Sequence, residues 1–352
     1  MSGRPGAGLD TRAWLAWGAA ASLPPLLGRN PFPLIATLFV VVGVRAAWSG
    51  RATRVSSWGG IVRLAAVFAA VGVLFNVLTV RTGDRVLAEV PESVPILAGP
   101  VTLNALVFGI LSGLALLILV LVGTTVGALL DWPAALRLLP ERLTTVAVAG
   151  SVAFAFIPQT AVAFREIREA QAARGHRFRG ARDLIPLLVP LLTGGLERAV
   201  TLAEALESRA FGAPVTTHPT HARAWSLATA GGLAAMALAG YLLAVGRVTG
   251  AGLALVAAGI ALLVATRRGT SPGPSRSRFR SPVWSRADTL TLGGAVVAGL
   301  ATLAAVALDP ASLRYEPYPD LLAPHVNLAL ILAQTALLAP AFLVDIAIEA
   351  EP

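Results

Sequence analysis

Two arginines stand near glycines at the ends of two predicted amphipathic helices. Arg174 precedes Gly175 in "IREAQAARG" (167–175), and Arg209 occupies a similar position in "AEALESRAFG" (203–212). A planar guanidinium can hold a carboxylate through two parallel hydrogen bonds. Amphipathic helices that carry such arginines are suited to docking in a groove of a partner protein. The pattern indicates a docking surface, and the alternative is that these arginines bind lipid phosphate or solvent.

Few residues suit other chemistry. The chain has no cysteine, and all 28 basic residues are arginine, which excludes disulfides, thiolate metal sites and a phosphate-loop lysine. His218 and His221 are three residues apart but have no nearby carboxylate, so they make a poor metal site. We predict no catalytic residue, no bound cofactor and no metal. The polar residues inside the apolar runs are uncharged: Asn76, Asn104, Ser112, Thr124, Thr125 and Gln334.

Helical periodicity predicts which side chains of the two helices share a face. In the first helix, within 161–176, the residues on one face are Ala161, Phe164, Ile167, Gln171 and Arg174. Gly175 is placed as the helix C-terminal residue that needs a positive φ, and Arg174 lies in the last turn, where a cation suits the helix dipole. In the second helix, 196–212, the predicted apolar face consists of Leu196, Ala199, Ala203, Leu206 and Ala210.

The elements around these helices are strongly apolar. The chain has 352 residues, of which 56% are hydrophobic and 13% charged, against about 25% charged residues in a soluble domain. We predict an all-α polytopic membrane protein with about eight transmembrane helices and a cytoplasmic insertion that carries the two amphipathic helices. The candidate spans are 13–28, 31–48, 62–80, 101–130, 222–246, 250–266, 288–308 and 324–346.

Arginine placement predicts the orientation of these spans. The linkers 45–63 and 267–287 are rich in arginine and are expected in the cytoplasm, whereas the acidic segment 309–320 is expected outside. We therefore expect the protein in the plasma membrane, with both chain termini in the cytoplasm. We attribute the net charge of +9 to this bias and to contact with membrane lipid, and we predict no nucleic-acid partner.

The middle of the chain is predicted as a separate region. We divide the sequence into N-terminal membrane helices (1–130), a cytoplasmic region with the two amphipathic helices (131–215) and C-terminal membrane helices (216–352) with the basic linker 267–287. If the basic segment 165–183 is cytoplasmic, the apolar run 143–163 cannot cross the membrane a single time, because that would place 165–183 outside. We expect it to bend back near Pro158 or to pack on the membrane domain.

A further apolar run, 184–195, is too short to cross a membrane. It contains Pro186 and Pro190, and proline removes a backbone donor from a helix. We therefore expect an interfacial segment that is separate from the helix 196–212.

The two arginine motifs resemble those of the transmembrane T components of energy-coupling factor transporters, the family that includes the cobalt-transport permease. The segments "LFNVLTVRTGDRVL" (74–87), "GPVTLNALVFGILSGLAL" (99–116) and "RYEPYP" (314–319) are also similar to members of that family. The second motif departs from the pattern, because Ser208 and Ala210 stand where the family often has alanine and glycine.

The resemblance implies a scaffold subunit with no catalytic activity of its own. Two ABC-type ATPase subunits would bind its coupling helices, and a substrate-binding S component would bind its membrane part and carry a vitamin or metal ion. The ATPase-docking residues implied by the motifs are Ala173, Arg174, Gly175, Ser208, Arg209 and Ala210.

Two other classes remain open from the residues alone. A self-sufficient permease is one, although the apolar runs hold no deep carboxylate of the kind a proton-coupled carrier needs. A membrane-embedded enzyme is the other, and the chain contains no HExxH or GxSxG motif to support it.

Overall fold

The regular structure of the chain is almost entirely helical. The computed structural model describes residues 8–49, 58–90, 99–136, 138, 144–176, 184–209, 222–245, 252, 254–256, 258–259, 261–262 and 284–344. Its α-helices are α1 (Thr11–Leu27), α2 (Pro31–Ala47), α3 (Trp58–Thr79), α4 (Leu103–Leu129), α5 (Trp132–Leu136), α6 (Thr144–Ala173), α7 (Ile185–Glu207), α8 (Ala222–Val245), α9 (Arg286–Leu308), α10 (Leu328–Thr335) and α11 (Ala339–Phe342). Two antiparallel strands, β1 (Val86–Val90) and β2 (Gly99–Thr102), form a hairpin before α4.

Several helices have the length and composition of membrane spans. Within the described residues five are long and apolar enough: Gly59–Thr79, Leu103–Leu129, Val146–Ala173, Ile185–Glu207 and Arg286–Leu308. Shorter apolar helices are Pro31–Ala47, Ala230–Gly240 and Leu328–Phe342. These helices confirm the predicted all-α polytopic membrane class. The β-hairpin was not predicted, and most of the candidate span 250–266 lies outside the described residues.

Polar side chains fix where the membrane helices begin. Asn30 Oδ1 accepts from the Phe32 backbone N–H at the start of α2, and the Thr102 hydroxyl accepts from the Ala105 N–H at the start of α4. Ser285 and Asp288 form a reciprocal capping box at the start of α9. Such caps satisfy helix N–H groups that have no partner within the helix. The predicted starts at 31, 101 and 288 therefore fall close to the observed ones.

The described residues group into two compact units, the first with α1–α4 and α8–α11, the second with α5–α7. In the first unit α4 packs on α1, α2 and α3, and α1 packs on α9. Glycines let α3 approach α4 closely: a Cβ at Gly109 would lie 3.2 Å from Val73 Cα, and one at Gly113 would lie 3.3 Å from Ala69 Cβ. Small residues allow such contact between helices in a membrane.

The predicted last span is broken by a 3₁₀ turn at Ala336–Leu338, between α10 and α11. Two buried indoles compensate for the break. Trp17 Nε1 donates to the Leu337 carbonyl at 2.8 Å, and Trp48 Nε1 donates to the Pro340 carbonyl at 2.9 Å. Carbonyls that leave the helical pattern must find another donor in an apolar core. The ring of Trp14 packs edge-on against both indoles, with centroids 5.7 and 5.4 Å apart.

The second unit is built on α6 and α7, which pack against each other. The short helix α5 lies on α6, where the rings of Trp132 and Phe154 stack with centroids 5.9 Å apart. The expected bend near Pro158 is wrong, because α6 is one helix of 30 residues that runs through this proline. A proline inside a helix removes one backbone hydrogen bond, and the rest of the helix continues on both sides of it.

The expected separation of 184–195 from the following helix is also wrong. A single helix, α7, runs from Ile185 to Glu207 and includes both prolines. Pro186 lies in the first turn, where a backbone N–H has no partner in the helix and its absence costs little. Only Pro190 removes an internal hydrogen bond, since its nitrogen would pair with the carbonyl of Pro186. Both amphipathic helices are therefore longer than predicted, and both begin in apolar sequence.

Candidate docking site at the ends of α6 and α7

The C-terminus of α6 is closed by a Schellman motif. Gly175 has a φ of 82°, and its N–H donates to the Ala172 carbonyl at 2.9 Å. The next residue, His176, donates to the Gln171 carbonyl at 3.0 Å. These are the two hydrogen bonds that define the motif, so the predicted left-handed role of Gly175 is confirmed. The turn holds the backbone of Arg174 at the end of the helix.

The C-terminus of α7 closes differently. The helix ends at Glu207 and not at 212, and Ser208 stays right-handed with φ −58° and ψ −22°. Its N–H donates to the Glu204 carbonyl at 2.9 Å, and its hydroxyl donates to the Ala205 carbonyl at 3.0 Å. The Arg209 N–H donates to the Leu206 carbonyl at 3.2 Å. Ala210, the last of the predicted docking residues, lies outside the described residues.

Both motif arginines are exposed, as are Ala173, Gly175 and Ser208. Among the residues that the structure describes, neither the Arg174 nor the Arg209 guanidinium has a salt-bridge or hydrogen-bond partner. A surface guanidinium with its five donors available can bind a carboxylate of another protein without first giving up a partner. The two helix ends thus present the group that the docking hypothesis requires.

The packing face of α6 agrees in part with the periodicity. Phe164, Ile167 and Gln171, in the middle of the predicted face, are half-buried, whereas Ala161 and Arg174 are exposed. Packing within the chain therefore covers only part of the length of this face.

Most described members of the predicted apolar face of the second helix are not covered within this chain. Leu196, Ala199 and Ala203 are exposed, and only Leu206 is half-buried. The face of α7 that is covered consists of Leu187, Leu191, Gly194, Gly195, Arg198, Leu202 and Leu206. It continues from the buried Leu187 in the apolar half of the helix.

The opposite side of α7 is an exposed apolar stripe. It consists of Ile185, Val189, Leu192, Leu196 and Val200, which are 58–67% exposed. Their spacing of three or four residues places them on one helix face. A contiguous apolar stripe of this kind marks contact with lipid or with another protein.

A polar cluster that the sequence did not single out lies in the first unit. Asn104 is fully buried at the start of α4, and its Nδ2 donates to Asp84 Oδ1 at 2.9 Å, to the Pro317 carbonyl at 2.6 Å and to the Pro319 carbonyl at 3.0 Å. The Asp84 N–H donates to Pro319 at 3.1 Å. The hydrogen bond from Asn104 is the largest cause that lowers the pKa of the Asp84 carboxyl.

Asn104 therefore joins the loop after α3 to the loop before α10. These loops belong to the segments 74–87 and 314–319, which carry part of the family resemblance. The signal in the sequence was an amide at the edge of a long apolar run, where an unpaired polar group is costly. Its partners could not be read from the sequence, because they lie 20 and more than 200 residues away.

Known proteins resemble this chain over its first two thirds. Residues 9–219 match the family CbiQ, cobalt transport protein. A protein of Leuconostoc gelidum subsp. gasicomitatum named energy-coupling factor transporter transmembrane protein EcfT is 39% identical over 67 residues, 17% of this chain and 25% of the relative. A protein of the same name from Thermosediminibacter oceani is 38% identical over 112 residues, 27% of this chain and 42% of the relative. Each alignment spans less than half of the relative's length.

The apolar helices define a polytopic α-helical membrane protein. The family match covers 211 of 352 residues, counted from 9 to 219. The chain belongs to the cobalt transport protein family, the family of the transmembrane T components of energy-coupling factor transporters. The family expected from the arginine motifs is thereby confirmed.

Proposed function

We propose that this protein is the energy-coupling scaffold of an ATP-driven importer for a micronutrient, either a vitamin or a transition-metal ion. Two ABC-type ATPase subunits dock on the ends of α6 and α7, and a substrate-binding S component associates with the membrane part. The scaffold has no catalytic residues, and its partners hydrolyse ATP. The observation that carries the proposal is the pair of exposed guanidiniums at the ends of two helices that pack together.

The helix pair is suited to transmitting motion. A hydrogen-bonded helix moves as a rigid element, and packing between α6 and α7 couples their displacements. The Schellman turn after α6 fixes the backbone beneath Arg174, so a force on this guanidinium is passed to the helix. A motif on a loose loop would instead absorb the displacement. Closure of the ATPases on ATP therefore moves the coupling helices, and the S component responds by releasing its substrate inside the cell.

The arrangement in the plasma membrane follows from charge. The C-terminal ends of α6 and α7 and the basic linker 267–287 face the cytoplasm, where ATP is available, and both chain termini lie on that side. The linker contacts anionic lipid through its arginines. Substrate choice belongs to the S component, since the candidate site in this chain is built to bind protein partners.

Charge reversal at the motif arginines tests the docking role. The full chain is co-expressed with the two ATPases and the S component of its own transporter, and the ATPases retained on the purified chain are quantified. Arg174→Glu and Arg209→Glu should each weaken retention, and the double variant should lose more. Breaking an interfacial charge pair costs about 2–5 kcal/mol, so each single change should weaken binding by roughly 30-fold or more.

Arg165→Glu is the matched control, because this arginine is exposed on α6 but lies more than two turns before the helix end. It carries the same change in charge and should retain the ATPases within about twofold of the unmodified chain. If the double variant at Arg174 and Arg209 retains both ATPases normally and supports uptake, the docking role is refuted. Uptake by the chain alone in liposomes would refute the scaffold role and favour a self-sufficient permease.

A further inference from the structure

One loop joins three parts of the first unit at the same end of its helices. Residues 309–327, which we call the outer strap, connect α9 to α10. The arginine pattern predicts that this end lies outside the cell. Hydrogen bonds link the strap to the turn between α1 and α2 and to the segment between α3 and α4. These bonds join residues more than 200 positions apart in the chain.

The turn between α1 and α2 holds the strap near both of its ends. The backbone N–H groups of Arg29 and Asn30 donate to the Leu313 carbonyl at 3.0 and 2.9 Å. The Asn30 side chain is buried, and its Nδ2 donates to the His325 carbonyl at 2.8 Å and to the Ala311 carbonyl at 3.4 Å. Its Oδ1 caps α2. One buried amide thus fixes two strap carbonyls to the start of a membrane helix.

The segment between α3 and α4 holds the middle of the strap. Asn104 Nδ2 donates to the carbonyls of Pro317 and Pro319. The Asp84 N–H donates to the Pro319 carbonyl at 3.1 Å, and Asp84 Oδ1 accepts from the Leu321 N–H at 3.2 Å. Hydrogen bonds in such a connected network strengthen one another. The strap is therefore held at its ends and in its middle.

The two ends of the strap are also tied to each other. Asp309 Oδ2 accepts from Asn327 Nδ2 at 3.0 Å and lies 3.1 Å from His325 Nε2. Asn327 Oδ1 caps α10 at Leu330. The end of α9 and the start of α10 therefore stay together, and a displacement of the strap reaches both helices.

The helix α4 runs from the strap toward the second unit. Asn104 lies in the first turn of α4, and α4 ends at Leu129, two residues before α5 begins at Trp132. A hydrogen-bonded helix of 27 residues is about 40 Å long. Displacement of the second unit therefore acts on one end of α4, and Asn104 passes the movement of the other end to the strap.

We infer that the outer strap makes the outer ends of α1–α4, α9 and α10 move as one body, so that a displacement of α4 reaches α9 and α10. The inference rests on the proposed function, which supplies the movement of α6 and α7. Packing alone transmits such a displacement less directly, because α4 packs on α1, α2 and α3, whereas α9 packs on α1 and α10. Packed helices slide past each other in small steps, while a hydrogen bond fixes distance and direction.

Distances between spin labels test the inference in the complete complex. The chain is assembled with the ATPases and the S component of its transporter in lipid nanodiscs, without nucleotide or with ATP and vanadate. The chain contains no cysteine, so labels are placed on introduced pairs. Two pairs span from a neighbouring segment to the strap, and all four side chains are exposed: Leu26→Cys with Leu322→Cys, and Arg85→Cys with Asp320→Cys. Both distances should differ by less than about 2 Å between the two states.

A third pair separates this inference from the proposed function. Glu166→Cys on α6 and Arg286→Cys on α9 are both exposed. Their distance should change by about 5 Å or more with ATP and vanadate, because the proposed function requires α6 to move. An unchanged distance at this pair refutes the proposed function. A change at this pair together with an equal change at either strap pair refutes the inference alone.

Asn30→Asp loosens the strap and leaves α2 capped. The variant keeps an oxygen for the Phe32 N–H and removes both donors to the strap, since an ionised carboxylate only accepts. The distance distribution between labels at positions 26 and 322 should become at least twofold broader. If this variant does not assemble, Asn104→Leu carries the same test at positions 85 and 320, where its amide donors are lost.

Gln334→Leu is the matched control. It removes a buried amide that joins α10 to α9 by donating to Thr302 Oγ1 at 2.7 Å, outside the strap. The distribution between positions 26 and 322 should keep its width in this variant. Equal broadening in Gln334→Leu would show a general loosening of the bundle, and an unchanged width in the assembled Asn30→Asp complex would show that the strap does not hold these ends together. Either result overturns the inference.

Discussion

Replacing Asn104 with leucine should release the loop before α10 from the loop after α3. The side chain is fully buried and is the only described donor that reaches Asp84 Oδ1, Pro317 and Pro319 together. Leucine has a similar volume but no donor, so the three acceptors lose the Asn104 amide while the site stays filled. Two hydrogen bonds still join the loops, from the Asp84 N–H to the Pro319 carbonyl and from the Leu321 N–H to Asp84 Oδ1. We expect the loops to open more often and the helices to remain folded.

The size of the effect follows from the number of protons. An amide nitrogen carries two protons, so the three acceptors within 2.6–3.0 Å share two full hydrogen bonds. A hydrogen bond to a neutral acceptor such as the Pro317 or Pro319 carbonyl contributes about 0.5–1.5 kcal/mol. With two such bonds lost, the opening free energy should fall by about 1–3 kcal/mol, which corresponds to an equilibrium constant for local opening that is about 5-fold to 150-fold larger.

Hydrogen exchange measured by mass spectrometry in lipid nanodiscs reports this opening. The relevant amides are those of Asp84, which donates to Pro319, and of Leu321, which donates to Asp84 Oδ1. Asn327→Leu is the control, because its side chain binds Asp309 and caps α10 at Leu330 instead. It should speed exchange at the start of α10 only. Exchange at Asp84 and Leu321 within threefold of the unmodified chain would refute the role of Asn104.

Three further outcomes are expected. Gly28→Ala should lower the melting temperature by several degrees in a light-scattering assay, because the new Cβ would collide with the Leu313 carbonyl oxygen; an unchanged melting temperature would exclude the close approach. Gly175→Ala should make the left-handed conformation at this residue, with a φ of 82°, less favourable by about 1–2 kcal/mol. Amide exchange at the end of α6 should then be faster, and unchanged exchange would contradict the Schellman closure. The pKa of Asp84 is lowered in the folded chain, chiefly by the hydrogen bond from Asn104. The ionised carboxylate therefore stabilises the folded state at pH values above its unfolded pKa of about 3.9, and this contribution is lost as the pH falls through the folded pKa. Acidification to pH 3 should lower the melting temperature more in the unmodified chain than in Asp84→Asn, and equal sensitivity would argue against this linkage.

The membrane helices could be predicted because their signal is local. A run of about 20 apolar residues is long enough to cross a bilayer, and capping residues such as Asn30 mark where a helix starts. The end of α6 was predictable for a similar reason. Only glycine adopts the left-handed conformation of Gly175 without strain, and both hydrogen bonds of that turn are made within five residues.

Prediction from the sequence failed where a rule for single residues was applied inside a long helix. Proline predicted breaks at Pro158 and Pro190, yet α6 and α7 continue through both, because one lost hydrogen bond does not outweigh the bonds that remain in a long helix. The same early division of α7 concealed the face that packs within the chain. This covered side is set by Leu187 at the start of the continuous helix, and Leu196 is exposed.

The sequence by itself determined the membrane class, the approximate spans, the two arginine motifs and the family to which the chain belongs. The class, the spans and the motifs depend on composition and on spacing within one or two helical turns, and the family was identified by resemblance to known members. Only the tertiary structure decided that Asn104 joins two distant loops and that Trp17 and Trp48 satisfy the carbonyls of the broken last helix. Each of these depends on which segments meet after folding, and a residue's own neighbours in sequence do not carry that information.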